Sequence, residues 1–311
     1  MTQNLSILII TRNRAKMLER CLNSLVVQTR LPDEVIVVDN LSTDNTKKVI
    51  LSFKKGLPIK YVQEKQIGTS YARNKSIKVA SGTLLLMLDD DCQADRFWVE
   101  KMIAAHKKYP NAWVIQGKTF SLPKKSLYSL AVEFSRLLYV RNSANKIISL
   151  RSFFRKYFTD EIEILMCDTK SFSIKTSYLK KYKLSFDTHF SHYNCGEDTD
   201  LGRQILQKNG LIIFCPSVIV AHWERSTLAQ FLEQCWYIGR ASARIVDKWK
   251  TTSFTTKITL RLGTLPALLL FCKVFNQWRK LPILMGLLFL AKLYRLNGWF
   301  YERRLLSLGK R

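Results

Sequence analysis

Two groups of neighbouring carboxylates are the residues best suited to chemistry in this sequence. The first, Asp89-Asp90-Asp91, follows at once on Thr83-Leu84-Leu85-Leu86-Met87-Leu88. Six residues fit for a buried strand run straight into three acids, so the strand must end where those side chains meet water or a counter-charge. In open α/β sheets the carboxyl end of a strand is where ligands bind. Three adjacent like charges repel one another unless a cation sits among them, and hard divalent ions take carboxylate oxygens. A solvated turn or a helix N-cap is the alternative, since Asp suits both. The second group, Glu197-Asp198-Thr199-Asp200, opens a helical pattern after a polar stretch at 189–196. Metal-assisted transfer from a nucleotide-linked donor needs two such sets: one to hold a cation against the leaving diphosphate, another to take a proton from the attacking hydroxyl.

The elements that must position these acids alternate between strand and helix. Leu5 to Ile10 reads as a buried strand and Thr11-Arg12-Asn13-Arg14 as the loop after it. Met17, Leu18, Cys21, Leu22, Leu25 and Val26 then recur at helical spacing. Glu34 to Val38 is a second strand with a polar loop at 39–46. Val49, Ile50 and Phe53 mark the next helix, Ile59 to Val62 a short strand, and Gly68 to Ala80 a helix stopped by Ser81-Gly82. After the aspartates, a helix to about Tyr109 and a strand from Trp113 to Gln116 continue the alternation, which is that of a doubly wound, nucleotide-binding sheet. Residues 118–165 have no clear period and read as a lid, an acceptor-binding insertion or a helix pair. Cys167 to Ile174 reads as a strand. Leu211 to Cys215 and Val218 to Ala221 read as two strands divided by Pro216, the second ending at His222. In such a sheet the loops at Thr11, Asp39, Asp89 and His222 converge on one edge.

The 311 residues are 47% hydrophobic, enough for one large α/β domain and an appendage. Fifty Lys and Arg against twenty-four Asp and Glu leave a formal charge of +26, which calls for an anionic partner: a phosphate-rich substrate, a membrane surface or nucleic acid. The seven cysteines include no Cys-x-x-Cys pair and mostly fall in apolar segments, as reduced thiols of a cytosolic chain do. Leu5 to Ile10 is only strand length, so no signal peptide is expected. From Thr227 the character changes: an amphipathic helix is followed by two apolar stretches, Leu262 to Phe275 and Leu281 to Leu290. Each is shorter than the roughly 20 residues of a spanning helix. Residues 224–311 carry sixteen Lys or Arg and four Asp or Glu. That combination suits a helical hairpin lying in the interface of an anionic leaflet. Core helices, an oligomer interface or a two-pass hairpin are the alternatives.

Five motifs stand in an order that resembles family 2 glycosyltransferases of the GT-A fold: Thr11-Arg12-Asn13-Arg14, Val37-Val38-Asp39-Asn40 with Ser42-Thr43-Asp44, Ala72-Arg73-Asn74, Leu88-Asp89-Asp90-Asp91, and Glu197-Asp198-Thr199-Asp200-Leu201. The resemblance covers about residues 5–225. It implies a Rossmann-like, mostly parallel doubly wound sheet over 1–225, with the insertion at 118–165, and a hydrophobic helical extension over 226–311. By position it implies that Thr11, Arg12 and Asp39 line the nucleotide pocket, with Arg73 near base or phosphate. Asp89 and Asp91 become the outer acids of a D-x-D motif, with Asp91 the more direct metal ligand and Asp89 or Asp90 bonding either metal or ribose. Asp198 becomes the catalytic base, Glu197 shapes its surroundings, and His222 adds a metal contact or is a satisfied structural histidine. Some details depart from the pattern. Ile10 stands where a proline is usual, and Lys75-Ser76 follow Arg73-Asn74 where a glycine is usual. Asp168 lies where an acceptor loop is common and fits either a sugar contact or a turn. His189, His192 and Cys195 have a zinc-like spacing without a fourth ligand nearby, so contact with donor or acceptor suits them better.

The resemblance implies an inverting, metal-dependent transfer from a nucleotide sugar, a UDP-sugar first, to a glycan or lipid-linked acceptor. Mn2+ or Mg2+ is the expected ion, and the cytoplasmic face of the plasma membrane the expected setting, in cell-surface polysaccharide or glycolipid synthesis. Rival readings are an inactive scaffold for another transferase and a basic nucleic-acid-binding protein. The basic residues are spread out and match no recognition motif, so no nucleic acid is expected. A nucleotidyl- or phosphotransferase is disfavoured by the lack of a Walker A or Gly-rich dinucleotide loop.

Overall fold

The structure is a computed structural model describing residues 4–124, 126–143, 159–250 and 264–309. It divides into two compact units. The first comprises Met1–Phe120, Ser143–His192 and Glu197–Trp223, and the second Ser121–Asn142, Tyr193–Gly196 and Glu224–Arg311.

The first unit is built on β1 (Leu5–Thr11), α1 (Ala15–Val26), β2 (Glu34–Asp39), α2 (Thr46–Ser52), β3 (Ile59–Gln63), α3 (Thr69–Val79) and β4 (Leu84–Met87). β3, β2, β1 and β4 lie side by side in parallel. The chain steps outward from β1 to β3 and then returns to the other side of β1 for β4. This reversal is a topological switch point, and it opens a crevice at the carboxyl ends of β1 and β4. Apolar runs form these strands because both sheet faces are covered: Leu5, Ile7, Ile9, Val35, Val37 and Leu84 are fully buried. Helix α1 meets them with Leu18, Cys21, Leu22 and Leu25 on one stripe. Each such side chain contributes roughly 1.5–3 kcal/mol on burial.

Beyond β4 the pairing turns antiparallel. The elements are β5 (Cys92–Ala94), α4 (Trp98–Lys108), β6 (Ala112–Leu122), α5 (Leu127–Ser143), β7 (Ile162–Glu163), β8 (Phe172–Lys175), α6 (Thr176–Tyr182), α7 (Glu197–Gln207) and β9 (Leu211–Trp223), of which α5 falls in the second unit. β8 pairs antiparallel with β4 and β6, and β9 with β5 and β7. Among the described residues the sheet has nine strands, in the order β3-β2-β1-β4-β8-β6-β9-β5 with β7 beside β9.

Two local expectations change, and a region left open gains a helix. The stretch 167–174 is not one strand: Thr169–Ser171 is a 3-10 turn, because the Asp168 side chain accepts from Lys170 N and caps it before β8 starts. β9 is continuous through Pro216, which falls between the residues paired with β7 and those paired with β5 and so removes a bond from neither. The region 118–165 contains α5, whose buried Leu130, Ala131, Phe134, Leu137 and Leu138 follow helical spacing. Residues 144–158 lie outside the described ones.

In the second unit α8 (Leu228–Trp249) packs along α10 (Leu281–Ser307), with α9 (Thr264–Val274) before it. The expected apolar stretch at 281–290 is part of a 27-residue helix. Lys292 and Arg295 do not end it, since charged long side chains are good helix formers. The start of the other stretch, 262–263, lies outside the described residues. α8 and α10 touch backbone to backbone at two glycines: a Cβ on Gly239 would sit 2.0 Å from Arg295 O, and one on Gly298 2.1 Å from Trp236 O. Near this crossing Glu302, 1% exposed, accepts from Tyr193 Oη at 2.5 Å, Arg240 Nε at 2.8 Å and Arg244 Nη2 at 2.9 Å.

Candidate active site

The crevice is lined by the loops that follow β1, β2 and β4. Thr11 closes β1, and its hydroxyl donates to Asp90 Oδ2 at 2.8 Å. Three residues on, Arg14 Nη1 donates to Asp90 Oδ1 at 3.0 Å and to Asp91 Oδ2 at 2.7 Å. The loop between them turns through Asn13 in the left-handed region, φ 53°. Asn13 Oδ1 accepts from Thr43 N, and Ser42 Oγ accepts from Asn13 N, so the β1 and β2 loops are laced together. Asp39, at the end of β2, is buried and uses both oxygens, accepting from Ser42 N at 2.8 Å and Tyr61 Oη at 3.0 Å. Burial, then the bond to Asp39, raises the Tyr61 hydroxyl above its ordinary range. Arg12 is exposed.

The three aspartates thus have three different surroundings. Asp90 is buried, and that burial pushes its carboxyl up to about 7 against the pull of Arg14 and Thr11. Asp91 is also shielded from water, which alone would raise it, but His222 and then Arg14 hold it below the usual carboxylate range. His222 Nε2 lies 3.3 Å from Asp91 Oδ1. Strand register places it there: β5 begins right after Asp91, and its first residue, Cys92, pairs with His222 of β9. Asp89 Oδ1 accepts from Arg73 Nη2 at 2.9 Å.

Arg73 also reaches the second acid group. From α3 its Nη1 donates to Glu197 Oε1, the first residue of α7. Glu197, Asp198 and Asp200 crowd the amino end of α7, where the helix dipole favours negative charge. Asp198 accepts from Thr199 N at 2.6 Å and is raised to about 7, first by burial and then by Glu197 and Asp168, against Lys170 and Arg73. Gln116 holds the Asp168 turn in place, accepting from Asp168 N and donating to the Asp168 and Ser171 carbonyls.

The expected site residues Thr11, Asp39, Arg73, Asp89, Asp90, Asp91, Glu197 and His222 are therefore joined through hydrogen bonds or loops in the first unit, with Asp198 beside them. Arg12 points into solvent, and Arg14, two residues on, is the arginine that meets the aspartates. Arg14, Tyr61 and Lys170 were missed because nothing about a lone polar residue in a sequence says which carboxylate it will face. His189 pairs with Asp187 at 2.8 Å, and no set of three His, Cys, Asp or Glu among the described residues is arranged to hold a metal ion. Asp91 with His222 is a different kind of site. One carboxylate and one imidazole, 3.3 Å apart, are donors of the kinds that would hold Mn2+ or Mg2+.

Comparison with known proteins gives the family and the fold. The sequence profile of Glycosyl transferase family 2 matches residues 6–183, which include Thr11, Asp39, Arg73 and the aspartate triplet and stop before Glu197. A validoxylamine A glucosyltransferase of Streptomyces hygroscopicus subsp. limoneus is 38% identical over 138 residues, 42% of this chain and 30% of that protein. A chondroitin synthase of Escherichia coli is 28% identical over 222 residues, 66% of this chain and 32% of its own length. The chain thus spans about a third of the length of these curated relatives. Among solved structures, the mannosyltransferase PcManGT from Pyrobaculum calidifontis in complex with GDP-Man and Mn2+ aligns with a TM-score of 0.63 at 16% identity, over 97% of this chain and 87% of that one. S. aureus TarS 1-349 in complex with UDP-GlcNAc gives 0.53 at 18% identity, over 99% and 92%. At such identities the likeness is one of fold, a GT-A-like mixed sheet. With its motifs in order and more than half its residues matched, the chain belongs to glycosyl transferase family 2.

Proposed function

We propose that the chain is a glycosyltransferase that moves a sugar from a nucleotide-diphosphate donor to a hydroxyl of a glycan or lipid-linked acceptor, inverting the anomeric carbon. The observation that carries this reading is the meeting of the two acid groups at one guanidinium, where Asp89 and Glu197 both accept from Arg73. Asp198 takes the proton of the attacking hydroxyl; a carboxylate raised to about 7 is matched to that task at neutral pH. Asp91 and His222 would hold Mn2+ or Mg2+, which when bound would supply positive charge against the leaving diphosphate. Thr11 and Asp39 border the nucleoside, and Arg12, exposed on the same loop, meets the phosphates.

A UDP-sugar is the first donor to try, and GDP-sugars the second, because the solved relatives' complexes include both UDP-GlcNAc and GDP-Man. The relatives named as chondroitin and hyaluronan synthases make polysaccharide assembly the natural setting. The decisive experiment is a panel of UDP-, GDP- and dTDP-sugars with and without manganese, read as thermal shift and as slow donor hydrolysis. One base class should stabilise the protein in a metal-dependent way. Stabilisation by no nucleoside diphosphate, with or without metal, sinks the proposal.

We further propose that the second unit lies against an anionic membrane surface at the cytoplasmic face. By length and composition, the segment Trp278–Ser307 is long and apolar enough to cross a membrane, the one such helix among the described residues. Ile283, Phe289 and Phe300 are 58%, 61% and 62% exposed, an apolar face that water disfavours.

A further inference from the structure

Arg73 is 7% exposed, and each of its terminal nitrogens donates to a carboxylate. Nη1 donates to Glu197 Oε1 and Nη2 to Asp89 Oδ1, while the Phe186 ring lies 5.6 Å from the guanidinium carbon. The next residue, Asn74, makes a two-way bond with the Phe186 backbone, donating to its carbonyl at 2.7 Å and accepting from its N–H at 2.9 Å. Two consecutive residues of α3 thus fasten the segment that leads into α7. The resemblance assigned Arg73 to the donor's base or phosphate, but in the folded chain both arms of this buried fork are turned to carboxylates of the protein itself.

We propose that Arg73 is a positioning residue, the strut that holds Glu197, and with it the neighbouring Asp198, at a set place relative to the aspartate triplet, and that it does not read the donor. The proposal rests on the proposed function for the role of Asp198. An arginine suits the task because its planar fork bridges two acids at once, which a lysine ammonium does not. Taking it away leaves the buried Glu197 and the half-buried Asp89 without this counter-charge.

The electrostatics supply a readout that simple structural support would not move. Asp198 is faced by Glu197 on its own helix, by Asp168 and Lys170 from the turn before β8, and by Arg73 from α3, with the Cys167 thiol also within its field. Glu197 and Asp168 push it up; Lys170 and Arg73 pull it down. Since Asp198 must be ionised to act as a base, loss of Arg73 should move the acid limb of the kcat profile to higher pH, and loss of the Glu197 charge should move it lower.

The test uses the full chain and compares Arg73→Lys, Arg73→Met, Glu197→Gln and the Arg73→Met/Glu197→Gln pair. It measures kcat for donor turnover across pH, nucleoside diphosphate Kd with manganese, and thermal unfolding. Expected are a kcat loss of about 100-fold in Arg73→Met, as misplacement of a reacting group produces, a smaller loss in Arg73→Lys, an unchanged Kd in all, and opposite movements of the acid limb in Arg73→Met and Glu197→Gln. A large rise in Kd with kcat intact overturns the proposal, as does an acid limb that stays still in both. If Arg73→Met does not fold, Arg73→Lys and Glu197→Gln decide by the same criteria. If the wild type turns over no donor, the functional reading fails separately. The strut is then judged by stability: Tm losses that are less than additive in the pair support it, and additive losses overturn it.

Discussion

At the residue scale, Asp198 carries two linked expectations. Its replacement by Asn should lower sugar transfer by about 100- to 10,000-fold, the usual range for a general base. It should also change stability in a pH-dependent way. The folded carboxyl titrates at about 7 and the unfolded one near the usual ~4, so between those values the folded chain keeps a proton that the unfolded chain has lost. Stability therefore falls as pH rises through this window. Asn carries no such penalty, so the Asp198→Asn protein should unfold at the same temperature as wild type near pH 4 and at a higher one near pH 8. Calorimetric scans at several pH values check this, and equal melting temperatures near pH 8 would contradict the raised value. Arg14 makes a related point. Its charge meets two of the three aspartates, so a cation of the chain itself stands beside acids that would otherwise repel one another.

At the scale of elements, the α8/α10 pair is held by a buried charge cluster as well as by close backbone contact. Glu302 answers Arg240 and Arg244 on α8 and the Tyr193 hydroxyl. Replacing Glu302 by Ala leaves two nearly buried guanidiniums without their partner, and should cost about 3–5 kcal/mol. Denaturant unfolding followed by a far-ultraviolet signal measures it; a loss below about 1 kcal/mol, the scale of exposed pairs, would show that the cluster is open to water. A similar cluster fastens α5, a helix within the region whose readings included a helix pair. Its Arg136 lies close to Glu133 at 3.3 Å and to Glu224 at 3.0 Å, a partner far along the chain. Pro216 signals a break that β9 does not make. In both cases the outcome is set by a partner distant in sequence.

At the scale of the whole molecule, the proposed membrane contact of the second unit, argued from the formal charge of +26 and the exposed apolar side chains of α10, makes a direct prediction. The protein should float with vesicles containing anionic lipid and only weakly with neutral ones, and added salt should weaken but not abolish binding, since burial and charge both contribute. Glu in place of both Ile283 and Phe289 should release it; retention by vesicles after that change would assign the attraction to charge alone. The strand–helix alternation over residues 5–116 and the order of the acidic motifs were legible in the sequence, because burial periodicity and turn residues are local properties of the chain. What lay beyond it was which acid meets which cation. Arg73 reaches Asp89 across 16 residues and Glu197 across 124, and His222 arrives beside Asp91 only through the register of β5 against β9. Strand order, register and the loss of water around each carboxylate are properties of the folded sheet, so the tertiary structure alone decided the pairings and, through them, which aspartate is held ionised and which stays ready to take a proton.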